Sequence, residues 1–213
     1  MEVTAVQPRG GWRALLRPAV LDRFEQAVIV LLWSAMAWRM SHAFSPFAML
    51  ALLSETAIVF FILIRRPAKH LSTDHGEWML AFAATAAPLL ITARTGPVEA
   101  LIPVAVFLWV IGNFVNIAAK LVLRRSFGIA PANRGLKLTG PYRVVRHPMY
   151  GGYLLSHIGI FMLMPSWLNL AVYVVAWTAM IRRLGAEERL LGLDPQYREY
   201  MGEVRYRLIP GVY

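Results

Sequence analysis

Long apolar runs divided by short polar breaks make up most of this chain, and the runs do not alternate in polarity. Membrane barrel strands alternate over ~10 residues, whereas membrane helices need ~17–25 largely apolar residues in succession. The pattern predicts helices at about 24–38, 47–64, 78–92 and 98–123. A turn through Ser41, Ser45 and Pro46 parts the first two. The basic loop Arg65-Arg66-Pro67-Ala68-Lys69-His70 ends the second, because proline cannot continue a helix cleanly. Pro88 predicts a kink in the third, and Gly96-Pro97 makes the next turn.

Residues 124–149 are polar, basic and rich in Gly and Pro, with no run long enough to cross. A second apolar region, 152–181, is broken at Met164-Pro165-Ser166 and reads as two short helices joined tightly. The tail, 182–213, is polar again. Within it Asp194-Pro195 reads as a cap and first-turn proline of a further helix, whose apolar side carries Tyr197, Tyr200 and Met201.

Composition fixes the class. Hydrophobic residues make up 58% of the 213, and charged residues only 16%, against ~25% in a soluble domain. The expectation is an all-α integral membrane protein of about six membrane helices, the last two a tight helical hairpin, with a C-terminal helical cap. Cysteine is absent, which excludes disulfides, thiolate catalysis and thiolate metal sites. The histidines at 42, 70, 75, 147 and 157 lack ligand-like spacing, so no metal is expected. Neither a Gly-rich phosphate loop nor a nucleophile elbow occurs, and no internal repeat is visible.

The formal charge of +10 invites a nucleic-acid reading. Its distribution argues otherwise. Six crossings put both termini on one side, together with loop 65–77 and segment 120–149. That side holds twenty Lys and Arg, and the other only Arg39 and Arg94. The positive-inside rule makes the rich side cytoplasmic, and no nucleic-acid partner is required. Residues 1–23 form a basic leader in which Trp12, Leu15 and Leu16 interleave with Arg13 and Arg17. That suits either a short interfacial helix or a partly ordered tail. No cleavable signal is evident, and the first apolar run would act as an uncleaved anchor. The chain divides into this leader, N-terminal membrane helices at 24–97, and a C-terminal unit at 98–213.

Candidate chemistry gathers at 140–152, reading GPYRVVRHPMYGG. Pro148 biases His147 away from helical geometry and suits the first position of a helix. A helix starting there aims free N–H groups and a positive dipole end at the 124–149 segment, which favours a carboxylate or phosphate. Arg143 and Arg146 can add forked hydrogen bonds to the same anion; equally, they can form a basic collar on lipid phosphates. Tyr150, Tyr153 and His157 fall on one helical face. Gly152, Ser156 and Gly159 form a stripe of small residues suited to close packing of the hairpin. Beyond the last span, Glu187-Glu188 can hold hydroxyls or an amine of a ligand, or pair with Arg182, Arg183 or Arg189. Asn113, Asn116 and Lys120 share a face of the fourth span, for helix packing or a cavity. Glu55 stands alone in the second span, to be protonated or answered by an Asn or His.

Taken together, Gly140-Pro141-Tyr142, Arg146-His147-Pro148-Met149-Tyr150-Gly151, Glu187-Glu188, and the closing Tyr197, Tyr200, Arg205 and Pro210 resemble the isoprenylcysteine carboxyl methyltransferase family, a relative of the membrane phospholipid methyltransferases. The matching residues lie within about 112–210. The resemblance implies S-adenosylmethionine as methyl donor, a cytoplasmic cofactor pocket closed by the tail, and a lipid-like or prenylated substrate entering from the bilayer. It implies cofactor contacts from Tyr142, His147, Pro148, Tyr150, Gly151, Glu187, Glu188 and Tyr200. It implies catalytic roles for Arg146, Arg205 and Glu188. The favoured acceptor is the carboxylate of a prenylcysteine-type lipid, with a phospholipid or other amphiphile amine as the alternative.

Two rival classes remain on the residues. Membrane sterol and steroid reductases carry a similar basic string and bind NADPH, but Met149 stands where they would have Asn, and the Glu-Glu pair is extra. A transporter or lipid-binding scaffold would more often show repeat symmetry.

Overall fold

The computed structural model describes residues 18–42, 46–68, 70–93 and 96–213. Residues 1–17 of the basic leader, Ser45, Lys69 and Arg94 lie outside them. Seven α-helices occur among the described residues: α1 (Pro18–Ser41), α2 (Pro46–Leu63), α3 (His75–Ala86), α4 (Ile102–Leu123), α5 (Pro148–Leu163), α6 (Trp167–Leu191) and α7 (Pro195–Glu203). A two-residue ladder, β1 (His70–Leu71) against β2 (Ala132–Asn133), is the departure from an all-helical chain. It is antiparallel, with His70 opposite Asn133.

The helix boundaries follow local chemistry. Asp74 caps α3 by accepting from Glu77 N, Ser166 caps α6 by accepting from Asn169 N, and Asp194 caps α7 by accepting from Gln196 N. Pro148 opens α5 at its first position. The helix predicted at about 78–92 is α3, 12 residues long, continued by a tighter 3-10 turn at Ala87–Leu90 around Pro88, where the sequence predicts a kink. Residues Glu99–Ser126, running through α4, form one helix long and apolar enough to cross a membrane, and Met49–Leu63 is a shorter apolar helix. Outward-facing Leu53, Phe107, Phe114, Val174 and Val175 are each more than half exposed, an arrangement soluble monomers avoid.

The expectation for the small-residue stripe is corrected. Gly152 and Gly159 pack α5 against α4, not against α6. A Cβ on Gly152 would lie 2.7 Å from Gly112 O, and one on Gly159 would lie 2.5 Å from Ala105 O. Those backbones come close because α5 carries no side chain at either position. The turn between α5 and α6 is short, as expected, but the arms stand apart. His157, Tyr173, Trp177 and Phe161 fill the gap with ring contacts.

Polar segments meet at two opposite ends of the helices. At one end, Arg66 N donates to Arg125 O, Ser72 N to Pro131 O, and Arg146 N to Tyr206 O. At the other, Asn169 Nδ2 donates to Thr92 O and Met164 O, and Arg39 donates to Leu89 O and Ile91 O. The first end carries a buried charge cluster. Arg65 pairs with Asp22 and Glu25 at 3.0 and 2.8 Å, and Arg134 pairs with Asp22 at 2.7 Å. Glu25, wholly buried, also accepts from Ile129 N at 2.5 Å. This cluster ties α1 and α2 to the 124–134 segment.

Candidate active site

The tail returns to the start of α5. His147 N donates to Arg207 O at 2.8 Å and Arg146 N to Tyr206 O at 2.9 Å, so residues 206–207 run alongside 146–147. Gly151 admits that approach, since a Cβ there would lie 3.3 Å from Leu208 O. Arg146 pins the same segment with its side chain, donating from Nη1 to Val204 O and Arg205 O at 2.8 and 2.7 Å.

Glu188 is the centre of this closure. Its Oε1 accepts from Arg146 Nε at 2.7 Å and lies 3.1 Å from His147 Nε2, and its Oε2 accepts from Arg207 Nε at 2.8 Å. Burial alone would raise the carboxyl's pKa, but the bonds from His147, Arg146 and Arg207 outweigh it and bring the value to about 2. Glu188 is therefore a buried anion shared by α5, α6 and the tail. Bonding to Glu188 also raises the pKa of Arg207, which stays a cation.

A cleft opens beside this anchor, walled by Tyr142, Arg146, His147, Tyr150, Glu187 and Tyr200, with Tyr197, Arg134 and Lys137 also lining it. Tyr150 Oη donates to Glu187 Oε2 at 3.2 Å. Tyr200 Oη donates to Tyr142 O at 2.6 Å. Burial raises the Tyr142 phenol and pushes Tyr200 up to about 12, so both keep their protons near neutral pH. Tyr197 is buried, and its Oη has no hydrogen-bond partner among the described residues. A second, smaller cleft adjoins the first and shares Glu187, Met149 and Leu123 with it.

Of the sequence-predicted site residues, Tyr142, Arg146, His147, Tyr150, Glu187 and Tyr200 line the first cleft. Pro148 and Gly151 shape the first turn of α5, and Glu188 sits behind the wall as the shared anion. Arg205 is exposed, and only its carbonyl joins the network. The anion expected at Arg146 is, in this structure, Glu188 itself. Sequence reasoning passed over Arg207, because two arginines two positions apart in a non-helical tail give no rule for choosing between them. Glu55, expected to be protonated or answered by an Asn or His, instead meets Lys120 Nζ at 3.2 Å and Tyr153 Oη at 3.4 Å. Lys120 bonds Ser54 as well, while Asn116 holds Met149 O and Asn113 holds Trp109 O, so this polar face of α4 serves helix packing. Tyr150, Tyr153 and His157 diverge to Glu187, Glu55 and an aromatic cluster. Among the described residues, no group of His, Asp or Glu is placed to hold a metal ion.

Residues 100–193 match the phospholipid methyltransferase family model. The match takes in α4, the 124–149 segment, α5, α6 and both glutamates, and it ends before α7 and the tail. It supports a membrane methyltransferase acting on lipid-like substrates, in the superfamily that also holds the isoprenylcysteine carboxyl methyltransferases. No curated protein matches the chain.

Proposed function

We infer that the chain is an S-adenosylmethionine-dependent methyltransferase that modifies a lipid-like acceptor at a membrane surface. The observation that carries this reading is the cleft between the 124–149 segment, the start of α5, the end of α6 and α7, with most of its lining inside the region of the family match. Its donor set suits the cofactor. Tyrosine ring faces favour a sulfonium cation. Glu187, with one hydrogen bond from Tyr150, suits ribose hydroxyls or an amine. The partnerless Tyr197 Oη, buried and lining the cleft, calls for a polar ligand atom.

Tyr142, Tyr150, Glu187 and Tyr197 would hold S-adenosylmethionine, which would supply an electrophilic methyl group to the acceptor's lone pair, its sulfur keeping the electrons of the broken carbon–sulfur bond. The protein's part is alignment and exclusion of water. Arg146, Glu188 and Arg207 lock the tail against the start of α5, beside the cleft. Tyr142 and Tyr200, kept protonated, fix the wall. Because Glu188 stays ionised with all its donors engaged, its role is to hold Arg146, His147 and Arg207, not to move a proton.

The family match favours a phospholipid acceptor, and the motif resemblance favours a prenylcysteine carboxylate. The site is proposed to face the cytoplasm, on the twenty-to-two charge bias. Calorimetric titration of the detergent-purified chain tests the reading. S-adenosylmethionine is expected to bind, and Glu188→Ala to weaken it on the order of tenfold or more. Tight NADPH binding with no response to S-adenosylmethionine would overturn it in favour of a reductase.

A further inference from the structure

Four cations are buried among the described residues: Arg65, Lys120, Arg134 and Arg183. Three have carboxylate partners. Arg65 and Arg134 share Asp22, and Lys120 has Glu55. Arg183, only 6% exposed, is in no ion pair with any described residue. Its Nε has no hydrogen-bond partner among the described residues, and its Nη2 reaches Gly128 O only at a long 3.4 Å. The Tyr150 ring lies 5.5 Å from its guanidinium carbon, and Tyr150 passes its own hydroxyl to Glu187. Arg183 thus contacts a ring face and one carbonyl, and Glu187, one turn on along α6, shares its cleft without pairing with it, where a buried cation normally demands a paired anion.

The guanidinium lines the second cleft, with Phe127, Gly128, Ala130, Met149 and Glu187. It does not line the cleft walled by Tyr142 and Tyr200. Along α6 it stands two residues past the apolar run that ends at 181, a depth that suits a lipid headgroup. Guanidinium forks match the paired oxygens of phosphate or carboxylate. The geometry points to Arg183 as the anion-recognising residue of an acceptor subsite, taking the phosphate or carboxylate of a lipid headgroup beside the cofactor cleft. Its assignment to the acceptor rests on the methyltransferase reading, but its affinity for a lipid anion does not.

The test uses the full chain in detergent, as wild type, Arg183→Gln and Arg183→Lys. Thermal melts are run with dihexanoylphosphatidic acid, neutral dihexanoylglycerol and inorganic phosphate, and S-adenosylmethionine affinity is titrated separately. Phosphatidic acid is expected to raise the wild-type Tm, the neutral lipid not to, and Arg183→Gln to abolish the rise while Arg183→Lys keeps part of it. S-adenosylmethionine affinity stays within twofold in Arg183→Gln. Without ligand, Arg183→Gln melts no lower than wild type, since no ion pair is lost.

Four results would overturn the subsite. They are a tenfold loss of S-adenosylmethionine affinity in Arg183→Gln, an equal rise with inorganic phosphate, no rise with phosphatidic acid, and a large ligand-free drop in Tm for both variants. The first assigns the anion to the cofactor, the second to free phosphate, and the last makes Arg183 structural. A wild type that binds no S-adenosylmethionine sinks the methyltransferase reading, while the lipid melts still decide for or against Arg183.

Discussion

Glu188 joins three segments distant in sequence, because Arg146, His147 and Arg207 all converge on its two oxygens. Removing one partner of a buried pair leaves the other charge uncompensated, at a cost of about 3–5 kcal/mol. Arg146→Ala should lose about that much and release the tail, since Arg146 also holds Val204 and Arg205 by their carbonyls. Arg205→Ala should stay within about 0.5 kcal/mol, as expected for an exposed side chain. Chemical denaturation in detergent compares the two, and equal losses would refute the arrangement. The acid response has a definite sign. The folded carboxyl of Glu188 titrates at about 2, below its ordinary value of 4.5. The stability it contributes is complete above pH 4.5 and is lost as pH falls towards 2. Pepsin cleavage of residues 204–213, normalised at each pH to cleavage of an unfolded peptide of the same sequence, should therefore rise steeply only as pH falls from 4.5 towards 2, and Glu188→Gln should abolish that pH step. The string at 146–151 and the acidic pair were legible because proline, glycine and paired charges are uncommon beside apolar runs. Arg207 and Arg183 were not, because their importance comes from which carboxylate each meets, or fails to meet, across the fold.

At the scale of elements, periodicity located the helices well, and their partners poorly. Apolar length and the proline breaks gave both ends of α2 within one residue and the last residue of α4, whose predicted start at 98 is instead a 3-10 turn leading into the helix at Ile102. The stripe Gly152, Ser156 and Gly159 was visible, but a stripe states only that some backbone comes close. Gly112, on the facing helix, supplies the complement: its own Cβ would lie 2.5 Å from Ser156 Oγ. Lys120 and Glu55 were both conspicuous, yet 65 residues separate them, and sequence spacing within one helix does not register such a pair. The packing is testable by substitution. Gly159→Ala places a methyl group against Ala105 O and Trp109 N, at 2.5 and 2.8 Å, so α4 and α5 must separate. A loss of about 1–3 kcal/mol is expected, the usual cost of overpacking. Gly202, near the end of α7, has nothing within 4 Å of the place a methyl group would occupy, and Gly202→Ala should gain up to about 0.5–1 kcal/mol from helix propensity. Melting curves showing the two changes equal in sign would contradict the close α4–α5 contact.

For the whole molecule, the decisive feature is how polar segments sort. Loop 65–77, segment 124–149 and the tail hydrogen-bond to one another, while residues 89–92 and 164–169 meet Arg39 or each other at the far end. That sorting follows from alternate helix directions, and it coincides with the charge asymmetry read from the sequence. The coincidence has a physical basis: cations that would be held from crossing the membrane also build the Asp22, Glu25, Arg65 and Arg134 cluster beside the candidate site. The absence of cysteine makes the orientation directly measurable, because each introduced thiol is then the chain's only one. Thr73→Cys and Gly202→Cys lie on exposed positions of the first end, and Trp167→Cys replaces a side chain 86% exposed at the other. In inverted membrane vesicles a membrane-impermeant maleimide should label positions 73 and 202 and spare 167, and in right-side-out vesicles the pattern should reverse. Labelling of 167 together with 202 from one side would place both ends of α6 in the same compartment. The helix could not then cross, and the proposed cytoplasmic cleft above a lipid-facing bundle would have to be abandoned.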